Sequence, residues 1–231
     1  MQFEGFSKES LDFLTQVKIN NSKAWFQEHK NDYESLLVEP FRRLVSELSG
    51  DILKIDPLFD TTPAINRTIS RIYRDTRFSK DKSLYRDSMW FTFKRPKDTW
   101  REAPAFFFEI YPDGYRYGMG YYSSTKESMD LFRKMIDDKP QVFNKIVRNF
   151  RNQSTFAIEG DRYKKILDPG KPEEINEWYN RKNLYLVHND KNVDKLFNND
   201  LVNELKEGFS FLQEIYKYLC SVEEKRLLRE N

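Results

Sequence analysis

Apolar and polar positions along the chain change period twice, and the changes divide the sequence into helical ends and a strand-rich middle. Near the N-terminus, Leu11, Leu14 and Val17 recur at helical spacing. Ser7 is placed to cap that helix, with Phe6 before it and Leu11 after it in the arrangement of a hydrophobic staple. Asn20-Asn21-Ser22 breaks the helix and caps the next, which carries Trp25, Phe26, Tyr33, Leu36 and Leu37. Pro40 has no N–H and predicts a kink or a restart, after which Phe41, Leu44, Val45, Leu48 and Ile52 continue a helical stripe. The period then falls to two. Thr68 to Tyr73 has strand-like composition; Met89, Phe91 and Phe93 alternate with polar or larger neighbours, as do Phe106, Phe108 and Ile110. Pro112-Asp113-Gly114 predicts a turn into Tyr115, Tyr117, Met119 and Tyr121, which makes a hairpin of an antiparallel sheet.

Helical spacing returns near 125–136 and 140–150, with a short strand at Thr155 to Ile158. A loop at Pro169 to Pro172 leads to a helix over Glu173 to Tyr179 and a strand over Leu184 to Val187. Asp200 then caps a final helix carrying Leu201, Leu205, Leu212, Ile215, Tyr216 and Leu219. The fold class expected is α+β, an antiparallel sheet of about five or six strands packed with N-terminal and C-terminal helices. No repeat, low-complexity tract or linker interrupts the pattern, so residues 1–231 are expected to form a single domain.

Composition supports a folded, water-soluble protein: 19 Phe, 13 Tyr and 4 Trp supply apolar bulk, while a third of the chain is charged. The one cysteine, Cys220, cannot form an internal disulfide, which predicts a reducing, cytoplasmic setting and a packed thiol. No apolar run approaches the length of a membrane helix and no signal peptide is expected, so a membrane is not an expected partner.

Charge changes the picture locally. Between Arg67 and Arg101 lie eleven bases (Arg67, Arg71, Arg74, Arg77, Lys80, Lys82, Arg86, Lys94, Arg95, Lys97 and Arg101) against Asp75, Asp81, Asp87 and Asp98, a surplus of +7. The whole chain carries +2, so everything outside this window sums to −5. A basic block on a near-neutral protein points to one anionic partner at one place. Within it, Arg71, Arg74 and Arg77 could grip phosphate or carboxylate through guanidinium forks, with Asp75 orienting a guanidinium. Ser79 and backbone N–H groups could complete an oxyanion cradle, Lys80 and Lys82 add point charges, and Tyr85 positions the ligand.

Other chemistry finds little support. His29 and His188 are isolated, and no Cys/His spacing resembles a zinc site. Three aspartates at six-residue spacing (Asp75, Asp81, Asp87) would place a cation in a field of bases. No Walker loop, dinucleotide fingerprint or nucleophile elbow is present, and no cofactor is expected. Asn20, Asn21, Trp25 and Phe26 read as a capped helix entry with an aromatic anchor or as part of a ligand wall, with core anchoring beside Tyr33 favoured. Gly118 and Gly120, on one face of a strand, leave room for a ligand or a helix to approach the backbone, with packing favoured.

The run Arg74-Asp75-Thr76-Arg77-Phe78-Ser79-Lys80-Asp81-Lys82, followed by Tyr85, resembles the signature of the conserved bacterial and fungal family called domain of unknown function 2461. The likeness extends to Asn20-Asn21, Trp25-Phe26, Lys30 and Tyr33 upstream, and to Gly118 through Tyr122, Arg133 and Ile136 downstream. It departs at Leu84-Tyr85-Arg86, where the family usually has Pro-Tyr-Lys. The resemblance implies a shared fold and carries no activity.

Three functional readings stay open. One is a pocket for a phosphate- or carboxylate-bearing small molecule, with or without catalysis. A second is a nucleic-acid-binding module in which Tyr73, Phe78 and Trp90 stack on bases. The third is an interaction domain docking an acidic protein. Oligomeric state is not encoded in any of these features.

Overall fold

Pro40 shows how local chemistry shapes the first helices. An ordinary helix would have the N–H of residue 40 donate to the Leu36 carbonyl, and proline has none to give. In the computed structural model, which describes residues 2–77, 80–96, 103–121 and 124–230 (Glu230 by its backbone alone), the buried Ser10 hydroxyl donates to that carbonyl at 2.7 Å. The surrounding segment, Glu34–Val38, widens into a π-helical turn. The helices that flank it are α1 (Lys8–Ile19), α2 (Lys23–Glu28), α3 (Lys30–Tyr33) and α4 (Glu39–Ile55). Ser7 caps α1 with Phe6 and Leu11 both buried, and α4 buries the same five apolar residues that its stripe predicts. Pro40 therefore restarts the helix.

Five strands, β1 (Met89–Phe93), β2 (Ala105–Tyr111), β3 (Gly114–Gly120), β4 (Ala157–Glu159) and β5 (Tyr185–Asp190), form one antiparallel sheet in the order β1-β2-β3-β5-β4. Four further α-helices, α5 (Lys126–Asp138), α6 (Pro140–Arg151), α7 (Glu173–Tyr179) and α8 (Asp200–Glu230), and a short 3-10 helix at Asp194–Phe197 complete the elements described. The α+β class and the antiparallel sheet are as the alternation predicts, and α8 runs past the Leu219 that ends its sequence stripe.

The chain divides into two compact units. The first takes Met1–Phe93, Phe107–Tyr117 and Asn189–Gly208; the second takes Lys94–Phe106, Gly118–His188 and Phe209–Asn231. In the first, the N-terminal helices lay an aromatic core on the sheet. Phe108 meets Phe6 at 6.2 Å, Phe41 at 6.0 Å and Phe91 at 5.5 Å between ring centroids. Tyr115 donates to the Glu204 carboxylate, which also pairs with Lys195 at 3.0 Å.

In the second unit α8 is the packing partner, with Phe106 5.1 Å from both Phe209 and Tyr216. Trp178 on α7 packs edge-on to Phe143 and Phe150 of α6. Two buried arginines serve as backbone braces here. Arg181 donates to the carbonyls of Glu177, Gly160 and Ile158, and Arg133 to that of Arg181. Gly118 and Gly120 face neither a ligand nor a helix. A Cβ on either would drive into a carbonyl of the neighbouring chain, Leu186 for Gly118 and Leu184 for Gly120. Both glycines are thus required by close strand approach.

Replacing Gly118 with Ala should cost about 3 kcal/mol, because backbone rather than a flexible side chain would have to yield. The measurement is urea unfolding, with a lowered midpoint at unchanged slope as the expected outcome.

Candidate functional site

The part of the basic block from Arg67 to Arg86 lies along the outer edge of β1, within the first unit, while Lys94 and Arg95 belong to the second. Ser70 and Thr68 pair with β1: Ser70 N–H donates to the Trp90 carbonyl, Trp90 N–H to the Ser70 hydroxyl, and Thr92 N–H to the Thr68 carbonyl. The ladder continues past the strand, with Arg86 N–H on the Ile72 carbonyl, Arg74 N–H on the Leu84 carbonyl, and Tyr73 opposite Tyr85. The strand-like character of 68–73 is realised as this irregular ladder, which covers an otherwise open sheet edge. Residues 75–77 and 80–83 belong to its tip. Phe78 and Ser79 lie outside the described residues, as do Lys97, Asp98 and Arg101 of the wider basic window.

Asn21 fixes the tip to the helices. Its amide has two N–H donors and an oxygen that accepts twice, and all four capacities are used. Nδ2 donates to the carbonyls of Val17 (3.1 Å) and Tyr85 (2.9 Å); Oδ1 accepts from the N–H groups of Leu84 (2.7 Å) and Tyr85 (3.0 Å). The neighbours free Asn21 for this task, since Asn20 ends α1 and the Ser22 hydroxyl caps α2 by accepting from Trp25 N–H. Directly beyond, Phe26 stacks on Tyr85 at 4.3 Å and 16°. Tyr73 closes the trio, 4.9 Å from Tyr85 and 5.7 Å from Phe26. Lys18 of α1 adds an ion pair to Asp87 at 3.3 Å.

The charges of the tip are arranged around its own carboxylates. Arg77 grips Asp75 as a fork, Nε to Oδ1 at 3.0 Å and Nη2 to Oδ2 at 2.7 Å, and its backbone N–H adds a third bond at 3.2 Å. These contacts, with the charge of Arg71 behind them, hold the Asp75 carboxyl far below the usual range. Arg74 pairs with Asp81 at 3.2 Å, while its Nε is buried without a hydrogen-bond partner. Asp81 also accepts from Ser83 N–H, and that backbone bond is the main reason its carboxyl lies low. Lys82 Nζ donates to the Thr76 carbonyl at 2.8 Å. Arg71 and Lys80 hold no carboxylate within ion-pair distance among the described residues, and both are exposed.

Among the expected site residues, then, Asp75 holds Arg77 while Arg74 goes to Asp81, and Arg71 acts on Asp75 only through its charge. Tyr85 is buried in the aromatic trio as support beneath the tip. Tyr73, placed in sequence only as a base-stacking residue, is the ring left at the surface, 46% exposed. Sequence marks Asn21 as a helix breaker and cap within the family likeness, but its role as anchor of the tip is not legible there because its partners lie 63 and 64 positions away. Each histidine ring meets a backbone carbonyl, His29 that of Trp25 and His188 that of Thr155. Among the described residues no group of three or more metal-ligating side chains is found, and no helix is long and apolar enough to cross a membrane.

Fold and site together define an α+β protein with a basic tip loop stapled to its N-terminal helices. The family described as conserved hypothetical protein (DUF2461) matches residues 9–218, and the chain belongs to it. A search of curated proteins finds no match.

Asn21→Ala should lower stability by about 2–3 kcal/mol, since four bonds of roughly 1 kcal/mol each are lost and part is regained from water. Thermal unfolding measures it. Alkali supplies a second check. Burial pushes the Tyr33 phenol up to about 12, and burial with the neighbouring Tyr73 phenol does the same for Tyr85. An acid raised above its unfolded value near 10 favours the protonated folded state. Stability should therefore hold up to about pH 10 and fall between pH 10 and 12, read as a declining Tm alongside tyrosinate absorbance.

Proposed function

We propose that the tip loop binds a phosphate- or carboxylate-bearing small molecule. The observation that carries this reading is the charge left over on an anchored backbone. Residues 71–82 hold five bases and two acids, a surplus of +3, on a loop fixed by the Asn21 amide. Like charges crowded on a loop repel one another, and folding alone gives no reason to hold them in place. A ligand that meets a pre-formed loop loses less conformational entropy on binding.

Asp75 marks where an oxyanion belongs. Its carboxylate accepts the Arg77 fork and the Arg77 N–H together, the geometry by which Arg recognises carboxylate or phosphate. With the Arg77 side chain 76% exposed, the pair is a surface one and weak against exchange. A phosphate dianion would compete for that fork with twice the charge, and Arg71 and Lys80 would add to its field. Arg74 and Lys82 shape the loop through Asp81 and Thr76, and Tyr85 supports it from beneath. The reading assigns binding and no bond-breaking step. It includes a cytoplasmic setting, supported by the single buried thiol of Cys220.

Titration with inorganic pyrophosphate, followed by isothermal calorimetry, tests the reading. Saturable binding is expected, weakened tenfold or more in Arg77→Ala and strengthened in Asp75→Asn, which frees the fork while leaving the loop anchored. Unchanged affinity in Arg77→Ala removes the role given to Arg77, and absence of saturable binding by the unaltered protein removes the proposal.

A further inference from the structure

We infer that the anion at the tip loop is the phosphate end of a free nucleotide, whose base lies on Tyr73; this rests on the anion-binding reading and narrows it. The starting point is the depth at which the three rings of the trio sit. Phe26 and Tyr85 are buried, whereas Tyr73, packed on both, keeps nearly half its surface in water. Its ring is therefore held edge-on by Phe26 and at a tilt by Tyr85, and nearly half of the residue stays accessible to a ligand. Few arrangements suit a stacking ligand better, because the ordering cost of the aromatic has been met by the fold.

The backbone beneath Tyr73 is held as firmly as its ring. Arg86 Nη1 donates to the carbonyls of Arg71 (3.2 Å) and Tyr73 (2.9 Å), and the same guanidinium lies 4.9 Å from the centre of the Trp90 ring. Arg86 thus serves the platform and is not spent on a ligand. Arg71 and Tyr73, two residues apart, turn their carbonyls to the same Arg86 guanidinium, and both side chains are exposed. A surface aromatic and a guanidinium with no carboxylate in ion-pair distance among the described residues thus share one short stretch of backbone, with the Arg77 fork on Asp75 four residues past the ring.

Charge and ring count favour a free nucleotide over a strand. A polymer would draw on a stripe of bases and several stacking rings, but the surplus here is confined to one segment of a chain whose total is +2. Among the described residues of the ladder and tip, Tyr73 is the exposed aromatic. Among those residues, one surface ring beside one cluster of bases fits one base joined to one phosphate group.

The test compares ADP, inorganic pyrophosphate and a ten-nucleotide thymidine strand as probes of the full chain. ADP should bind about tenfold or more tightly than pyrophosphate, the contribution of a single stacked base. That advantage should vanish in Tyr73→Leu, which keeps apolar bulk against Phe26 and Tyr85, and persist in Tyr73→Trp; Tm of each variant confirms folding. Arg77→Ala should weaken ADP and pyrophosphate alike. Equal affinity for ADP and pyrophosphate, or an ADP preference untouched by Tyr73→Leu, overturns the nucleotide inference and leaves the anion reading standing. A strand that binds far tighter than ADP with a steep salt dependence overturns it in favour of nucleic acid. Failure of all three probes to saturate removes the anion reading as well.

Discussion

A loop that carries five bases in twelve residues is driven outward by its own repulsion, and the side-chain amide of Asn21 is the contact that opposes this. It works because it is completely satisfied. Two carbonyls and two N–H groups meet one planar amide, so the backbone at Leu84 and Tyr85 is held in one orientation rather than merely kept nearby. Position follows from orientation. With Tyr85 fixed, its ring lies flat on Phe26, Tyr73 opposite is drawn into the ladder, and the tip between them begins and ends at defined points. The two parts of the family signature, Asn20 to Phe26 and Arg74 to Tyr85, are separated by nearly fifty residues in sequence and are one device in space.

The electrostatics of the tip follow from this anchoring. Burying arginines in a recess would demand desolvation that surface carboxylates could hardly offset. The fold instead leaves Arg77 exposed and Arg74 partly so, and supplies Asp75 and Asp81 as internal counterions, which lowers the repulsion within the loop without cancelling its charge. The surplus on 71–82 stays positive. Two buried arginines in the second unit brace the chain: Arg181 ends on backbone carbonyls, and Arg133 joins the Arg181 carbonyl to the Asp130 carboxylate. Position, not residue type, separates a bracing arginine from one available to a partner.

What could be read in sequence was what repeats. The α4 stripe, the alternation of β1, β2 and β3, and the helix over Glu173 to Tyr179 all appear where period and punctuation place them. What could not be read depends on a partner far along the chain. Ser10 reads as an ordinary helix residue until Pro40 leaves the Leu36 carbonyl without a donor. Gly118 and Gly120 read as open strand positions because the carbonyls that need their space belong to Leu184 and Leu186. Asn21 reads as a capping residue, and its neighbours Asn20 and Ser22 do the capping. Bases could be counted, but which of them the loop's own acids would engage is set by the turn geometry of the tip.

The two tyrosines of the ladder show the same limit most sharply. Tyr73 and Tyr85 oppose each other, so alternation puts both rings on one face and predicts similar exposure. Their fates diverge because that face slopes: Tyr85 lies where Phe26 covers it, and Tyr73 lies one ring further from α2, at the rim. Sequence alone favoured Tyr85 as the ligand contact because it closes the basic motif. Burial separates the two rings: Tyr85, inside the trio, stiffens the ladder, and Tyr73, at its edge, remains at the surface.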